Sequence, residues 1–176
     1  MRRKLWDGFE LDDDPGRVDI DAVHAFISGE SYWGRGRSRE LVERAIAGST
    51  RVVGMYRDSD QAGFARAVSD GATVAYLADV YVLSAYRGRG LGLALVQEIV
   101  EHSFGDVRWL LHTADAQQLY ARIGFTQDRP PYPLMERGPG LAGARRQPTR
   151  ARASRGREQP GAGREVRPRP DSLSGR

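Results

Sequence analysis

The amino-acid sequence predicts one α+β domain over residues 1–137, built on a mixed and largely antiparallel sheet flanked by helices. Two observations predict this fold class. Three strand-like runs, at 51–56, 63–68 and 73–83, follow one another across short turns rich in Asp, Ser and Gly, as in an antiparallel meander. A helical pattern then leads to another apolar run at 107–112, and a right-handed strand–helix–strand crossover makes the two joined strands parallel.

The segment before the meander predicts shorter elements. Residues 17–20 (Val-Asp-Ile-Asp) alternate as in a short strand, and apolar residues at helical spacing over 22–27 predict a helix after it. A second helix is expected to begin at Ser38 and to end at Gly48, because apolar residues recur one turn apart between them. The glycines of segment 31–37 predict a loop between these two helices.

Three further elements are predicted after the meander. A helix with one apolar face extends from the glycine-rich segment 87–92 to about residue 102. A short helix over 114–123 is ended by a glycine. Short runs at 125–126 and 134–136 are expected to form a closing pair of strands.

The composition excludes several kinds of site. The sequence has no cysteine, which excludes disulfides, thiolate zinc sites and a cysteine nucleophile. Its three histidines are spread along the chain, so no metal site is expected. No run of about 18 apolar residues could span a membrane, and no apolar signal segment follows the N-terminus. We therefore expect a cytoplasmic protein without a membrane partner.

The formal net charge of +4 conceals a division between two parts of the chain. Residues 137–176 contain 11 arginines and three acidic residues, whereas residues 1–136 are net acidic. Because it has few large aliphatic residues, segment 138–176 is expected to be a disordered Arg/Gly/Pro-rich tail. It is either a passive extension or an electrostatic arm for nucleic acid, a membrane or an acidic partner. The tail has no aromatic residues that could stack on bases, which disfavours nucleic acid as its partner.

Three glycines at alternate positions, Gly88, Gly90 and Gly92, lie between a predicted buried strand and a predicted helix. Such a segment presents bare backbone N–H groups at a helix N-terminus, which binds an anion such as pyrophosphate. Its spacing differs from that of the P-loop and from the Gly-x-Gly-x-x-Gly of dinucleotide-binding folds. The alternative is a glycine-rich turn that only allows close packing of the helix on the strand.

Two motifs in this order resemble the GNAT superfamily of N-acetyltransferases. Arg87-x-x-Gly90-x-Gly92, entered from a strand at 79–83, is similar to the family's acetyl-CoA signature. Ala-x-x-Leu-Tyr-x-x-x-Gly-Phe at 116–125 is similar to its second signature. The resemblance covers roughly residues 17–137 and implies the GNAT fold, with a splayed pair of parallel strands at the cofactor site. It also implies transfer of an acetyl group from acetyl-CoA to a primary amine of a small molecule or peptide.

The resemblance further implies which residues hold acetyl-CoA. The end of the third meander strand would pair with the pantetheine amides, and the backbone N–H groups after it would bind the pyrophosphate. Thr113 stands where many members have an asparagine, so its hydroxyl is a candidate substitute. Arg87 and Arg89 are candidates for phosphate contacts, with solvated cations as the alternative. The implied cofactor-binding residues are Val80, Tyr81, Val82, Arg87, Gly88, Arg89, Gly90, Leu91, Gly92 and Thr113.

Tyr120 is the implied catalytic acid, because in the family the tyrosine of the second motif lies near the acetyl sulfur and protonates the leaving thiolate. The alternative is an aromatic residue of the core. Asp79 is a candidate base for the amine proton, since a carboxylate within an apolar strand binds a proton more readily. A structural carboxylate held by hydrogen bonds, with water as the proton acceptor, is the competing interpretation.

The acceptor is expected to contact the loop between the first two helices. Tyr32 and Trp33 offer aromatic faces there, and Arg35 and Arg37 offer guanidinium groups for a carboxylate or phosphate. Solvated charges beside a helix are the alternative. Two other functions stay open: a non-catalytic acyl-CoA-binding regulatory module, and a nucleic-acid-associated protein that acts through the tail. The oligomeric state is also open, with a homodimer among the alternatives.

Overall fold

The computed structural model describes residues 1–127, whose centre is a single six-stranded sheet. The strands follow one another across the sheet in sequence order. All neighbouring strands are antiparallel except the last two, which are parallel. The strands are β1 (Arg2–Lys4), β2 (Phe9–Asp12), β3 (Arg51–Arg57), β4 (Asp60–Ser69), β5 (Val74–Val82) and β6 (Arg108–Leu110). The predicted meander, the crossover and the parallel pair are confirmed.

Helices cover both faces of the sheet. They are α1 (Ile20–Ala25), extended by a π-helical turn at Phe26–Glu30, α2 (Arg39–Ala47), α3 (Leu91–Glu101) and α4 (Gln117–Ala121). Side chains alternate between the two faces along a strand. In β3, Val52 packs with α1 and α2, whereas Val53 and Met55 pack with α3. The sheet therefore separates two apolar cores.

The predicted strand at 17–20 is wrong. Pro15–Arg17 forms a 3-10 turn, and the carboxylate of Asp19 accepts a hydrogen bond from the N–H of Ala22 at 2.9 Å. This N-cap begins α1 at Ile20. The alternation of Val-Asp-Ile-Asp thus reflects a helix start rather than a strand.

The hairpin of β1 and β2 lies before residue 17, where the sequence patterns predict no element. Its register places Arg2 opposite Asp12 and Lys4 opposite Glu10. All three residues of β1 are charged and exposed. An edge strand of this kind carries no apolar alternation, so periodicity gives no signal for it.

The remaining differences lie at the C-terminal end of the described chain. β6 is shorter than the predicted run at 107–112. Residues 125–126 form no strand with any described residue. The predicted strand at 134–136 and the predicted tail at 138–176 lie outside the described residues.

The parallel pair separates soon after it begins. β5 pairs with β6 only over the three residues Val74–Tyr76, although β5 continues to Val82. Residues 77–82 have β4 on one side and no strand of the described chain on the other. We call this side the open edge of β5. A bulge lies within it, because the register with β4 shifts between Phe64 and Arg66 and Asp79 adopts a φ of +49°.

Candidate active site

Val80, Tyr81 and Val82 of β5 are predicted to bind the cofactor, and two of them turn their backbone groups to the open edge. A Cβ atom added to Gly63 on β4 would lie 2.7 Å from the carbonyl oxygen of Tyr81, so that oxygen points toward β4. Backbone groups point to alternate sides along a strand, and those of Val80 and Val82 therefore point toward the open edge. The Tyr81 ring instead stacks on Phe26, with 4.0 Å between ring centroids.

The glycine loop, residues 87–92, connects the open edge to α3 through a 3-10 turn at Ser84–Tyr86. The N–H of Arg87 donates to the carbonyl oxygen of Ser84 at 3.3 Å. The next backbone hydrogen bond of the segment runs from the N–H of Leu93 to the carbonyl oxygen of Gly90, at 3.1 Å. Among residues 1–127, no backbone hydrogen bond uses the N–H groups of residues 88–92, so they can bind an anion, which the positive end of the helix dipole also favours.

The glycines of this loop have different roles. Gly88 and Gly90 adopt φ angles of +76° and +78°, a region that favours glycine. Within the described chain, no atom lies within 4 Å of a Cβ position at Gly88, so the loop is open on that side. A Cβ atom at Gly92 would lie 3.3 Å from Cδ1 of Leu119. The loop thus fits a phosphate group near Gly88, while Gly92 allows α3 and α4 to pack closely.

The arginines of the glycine loop differ in their contacts. The Nε of Arg87 donates to the carbonyl oxygen of Val82 at 2.9 Å, which ties the loop to the end of β5. One of the five N–H donors of the guanidinium group is used in this contact. Arg89 is exposed between two glycines. The side chain of Leu91 is buried in the core, so its backbone N–H is the group it offers to a ligand.

Tyr120 lies on α4 and is 9% exposed. Its ring meets that of Phe125 edge to face, at 5.8 Å between centroids. Burial, together with the neighbouring Tyr32 and Asp115, raises the pKa of the Tyr120 phenol to about 12. The phenol is therefore protonated near neutral pH and can donate a proton.

Asp79 is buried and has two guanidinium partners. Nη1 of Arg37 lies 3.0 Å from both carboxylate oxygens, and Nε of Arg66 lies 2.6 Å from Oδ2. Charge-assisted hydrogen bonds of this kind are shorter and stronger than those between neutral groups. Because Arg37 belongs to the loop between α1 and α2, these contacts hold that loop against the bulge of β5.

The 31–37 loop is also held on its other side. The hydroxyl oxygen of Tyr32 accepts a hydrogen bond from the N–H of Ala114 at 2.8 Å, in the connection between β6 and α4. Trp33 meets the Tyr32 ring edge to face at 4.9 Å, and both side chains are exposed. Arg35 is exposed as well. The loop therefore bridges the bulge of β5 and the connection after β6, and it places Tyr32 near Tyr120.

Thr113 has a local contact at the start of the second motif. Its Oγ1 accepts a hydrogen bond from the N–H of Ala116 at 3.0 Å, which supports the first turn of α4. The hydroxyl proton of Thr113 is not used in this bond.

Sequence reasoning missed the role of Arg66. This arginine is a lone cation in the otherwise apolar run 62–68 of β4, and Asp79 is a lone acid in the neighbouring strand. Buried charges are rarely left unpaired. Two single, opposite charges in consecutive apolar strands of a meander were therefore a usable signal for this ion pair.

No group of three or more His, Cys, Asp or Glu residues among residues 1–127 is arranged to hold a metal ion. None of the helices described above is both long and apolar enough to cross a membrane.

Comparisons with known proteins agree with this fold. The GNAT acetyltransferase domain family matches residues 48–127. A solved GNAT-family protein from Xanthomonas campestris pv. campestris is 40% identical, with a TM-score of 0.70 over 77% of this chain and 97% of that one. A Gibberella zeae protein described as an acetyltransferase is 28% identical over 133 residues, covering 62% of this chain and 73% of that one.

A more distant structure shares the fold. Arabidopsis thaliana NAA60, solved in complex with a bisubstrate analogue, is 22% identical, with a TM-score of 0.56 over 69% of this chain and 85% of that one. From the identity and coverage of the Xanthomonas protein, this chain belongs to the GNAT acetyltransferase family. It is an acyltransferase, and members of its family use acetyl-CoA in general.

Proposed function

We propose that this enzyme transfers an acetyl group from acetyl-CoA to a primary amine of a small molecule or a peptide. One observation carries the proposal: the open edge of β5 leads directly into a glycine loop whose N–H groups stand at the N-terminus of α3. The strand edge offers hydrogen bonds to the amides of a pantetheine arm. The helix start offers hydrogen bonds and a positive dipole end to a pyrophosphate.

The proposed cofactor contacts follow from this arrangement. The backbone groups of Val80 and Val82 bind the pantetheine amides, and the N–H groups of residues 88–92 bind the pyrophosphate. Arg87 and Arg89 add positive charge beside the phosphates, and the Thr113 hydroxyl donates to the arm. Tyr81 acts as a core residue rather than a cofactor contact, since its ring stacks on Phe26.

Acetyl-CoA, when bound, supplies the activated acetyl thioester. Tyr120 holds a proton on its phenol oxygen near neutral pH, because burial raises its pKa to about 12. Expulsion of a thiolate is assisted by a positioned acid, and we propose that Tyr120 donates this proton to the departing sulfur. The side chains of Tyr32 and Trp33, with Arg35 nearby in sequence, form the wall for the acceptor amine.

The proton of the amine is proposed to leave through water. Asp79 was the candidate base, but both of its carboxylate oxygens already accept hydrogen bonds from arginine side chains. The carboxylate is also buried, so its oxygens face these guanidinium groups rather than the acceptor, which favours the structural interpretation. Asp79 then acts by positioning the 31–37 loop through Arg37.

The proposed function is tested with the full chain and acetyl-CoA. Calorimetry measures whether acetyl-CoA binds, and thiol release measures turnover against panels of monoamines, polyamines, amino acids, amino sugars and peptides. Mass spectrometry of the product should show an acetylated amine. Binding without turnover on any panel would favour the regulatory-module alternative, and absence of binding would overturn the proposed cofactor site.

A further inference from the structure

The tip of the β1–β2 hairpin reaches the glycine loop from the opposite end of the chain. The tip is a tight turn, in which the N–H of Phe9 donates to the carbonyl oxygen of Trp6 at 3.1 Å. Its two central residues, Asp7 and Gly8, adopt φ angles of +55° and +76°. This hairpin precedes the segment 48–127 that the family comparison matches.

Aromatic contacts fix the position of this tip. Phe9 is buried and meets Tyr86 edge to face, at 5.2 Å between ring centroids. Tyr86 ends the 3-10 turn that directly precedes the glycine loop. The guanidinium of Arg57 lies 5.6 Å from the Phe9 ring and 5.9 Å from the Tyr86 ring, within cation–π range. The hairpin and the glycine loop are therefore held together by a shared cluster.

Trp6 remains exposed next to this cluster. A Cβ atom added to Gly90 would lie 3.5 Å from Cζ2 of Trp6, so the indole lies in contact distance of the glycine loop. The residue nevertheless keeps 47% of its surface exposed, although its neighbour Phe9 is almost fully buried. An indole beside the glycine loop with half of its surface open offers a flat apolar face to a ligand.

We propose that Trp6 binds the adenine base of the CoA moiety by stacking, an inference that rests on the proposed binding of pyrophosphate at the glycine loop. In CoA, the adenosine is joined directly to the pyrophosphate. A base attached to a phosphate at Gly88–Gly90 therefore lies within one nucleoside of this indole. Stacking on an aromatic side chain is the common way in which proteins hold a base that is not paired.

The test separates the adenosine from the rest of the cofactor. Calorimetry with the full chain compares CoA with 4′-phosphopantetheine, which keeps the arm and one phosphate but lacks the adenosine. A stacked base contributes about 5- to 150-fold in affinity. We expect Trp6→Ala to weaken CoA binding at least fivefold and to change 4′-phosphopantetheine binding by less than twofold. Trp6→Phe should retain most of the CoA affinity, because a flat ring remains.

Leu41→Ala is the matched control, since Leu41 on α2 is 44% exposed and removal of its side chain should leave both affinities unchanged. Equal losses for the two ligands in Trp6→Ala would overturn the proposal, because Trp6 would then act on the loop rather than on the base. An unchanged CoA affinity would overturn it as well. If the wild-type chain bound no CoA, the proposed function and this inference would both fail. If the wild-type chain bound CoA and Trp6→Ala bound it equally well, only this inference would fail.

Discussion

Burial of Tyr120 determines which protonation state its phenol has near neutral pH. Burial raises the pKa of this group to about 12, and Tyr32 and Asp115 act in the same direction. A group whose pKa lies so high keeps its proton as the pH rises through the ordinary assay range. Tyr120 can therefore act as a proton donor there, and it is excluded as the base that accepts the amine proton.

Removal of this hydroxyl tests its role as the acid. Tyr120→Phe keeps the ring that packs on Phe125, so stability and acetyl-CoA binding should change little. Turnover should fall at least tenfold, a threshold set below the range of about 100- to 10,000-fold for general acid catalysis, while KM for acetyl-CoA moves by less than about twofold. Steady-state kinetics with a working acceptor measures both values.

A second buried tyrosine provides the control for this change. The hydroxyl of Tyr56 donates to the carbonyl oxygen of Arg17 at 3.1 Å, in the opposite part of the sheet. Tyr56→Phe should lower stability by about 1 kcal/mol and leave turnover unchanged. Wild-type turnover in Tyr120→Phe, measured where chemistry limits the rate, would show that the acid is another group.

At the scale of the elements, the role of the glycine loop can be tested against a control glycine whose substitution costs similar backbone strain. Gly88 and Gly105 both adopt a positive φ, +76° and +68°, and in the described chain neither has an atom within 4 Å of its Cβ position. Aspartate at either site should therefore cost similar backbone strain. Gly88→Asp also places a negative charge beside the proposed phosphate site, whereas Gly105→Asp does not.

We expect Gly88→Asp to weaken acetyl-CoA binding at least tenfold in calorimetry. Gly105→Asp should lower the melting temperature by a similar amount and leave the affinity unchanged. Equal affinities in the two variants would remove the glycine loop as the pyrophosphate site.

The bulge of β5 and the 31–37 loop are coupled through Asp79. Asp79→Asn preserves the shape of the side chain, and asparagine tolerates a φ of +49°, so the bulge should persist. Arg37 and Arg66 lose their anionic partner, and we expect the free energy of unfolding to fall by about 1–3 kcal/mol. The KM of the acceptor should rise more than kcat falls, because Arg37 then holds the loop less firmly.

Two readouts separate this positioning role from that of a base. If water accepts the amine proton, the pH–rate profile of Asp79→Asn should keep its shape. Arg37→Gln breaks the same contact from the loop side, so it should raise the acceptor KM similarly, and the double variant should be clearly non-additive. Loss of the low-pH limb of the profile, where a catalytic base becomes protonated, in Asp79→Asn alone would instead identify Asp79 as the base.

The sequence predicts those parts of the architecture whose patterns lie within a short stretch of residues. The meander, α3 and the glycine loop follow from apolar periodicity and glycine spacing within short windows of sequence. The β1–β2 hairpin could not be predicted, since its edge strand consists of three charged residues. The contact between Trp6 and Gly90 joins residues 84 positions apart and leaves no local pattern. The contact of Asp79 with Arg37 is non-local in the same way.

For the whole molecule, the distribution of charge and apolar residues separates two parts of the chain. Both apolar cores of the described chain are formed by residues between Leu5 and Phe125. Residues 137–176, in contrast, carry 11 arginines against three acidic residues. A segment with so few apolar residues cannot offset the entropy of ordering its backbone. We therefore propose that the catalytic domain does not need it.

A chain that ends at Arg137 tests this proposal. It should match the full chain in acetyl-CoA affinity and turnover, and its melting temperature should lie within about 3 °C, a shift that corresponds to less than about 1 kcal/mol in a domain of this size. Calorimetry and thermal unfolding at equal ionic strength measure these quantities. A larger loss of stability would mean that residues 138–176 contribute to the folded domain. If instead only the full chain bound a polyanion such as heparin, with an affinity that falls steeply as salt is added, the basic segment would be an electrostatic arm rather than a passive extension.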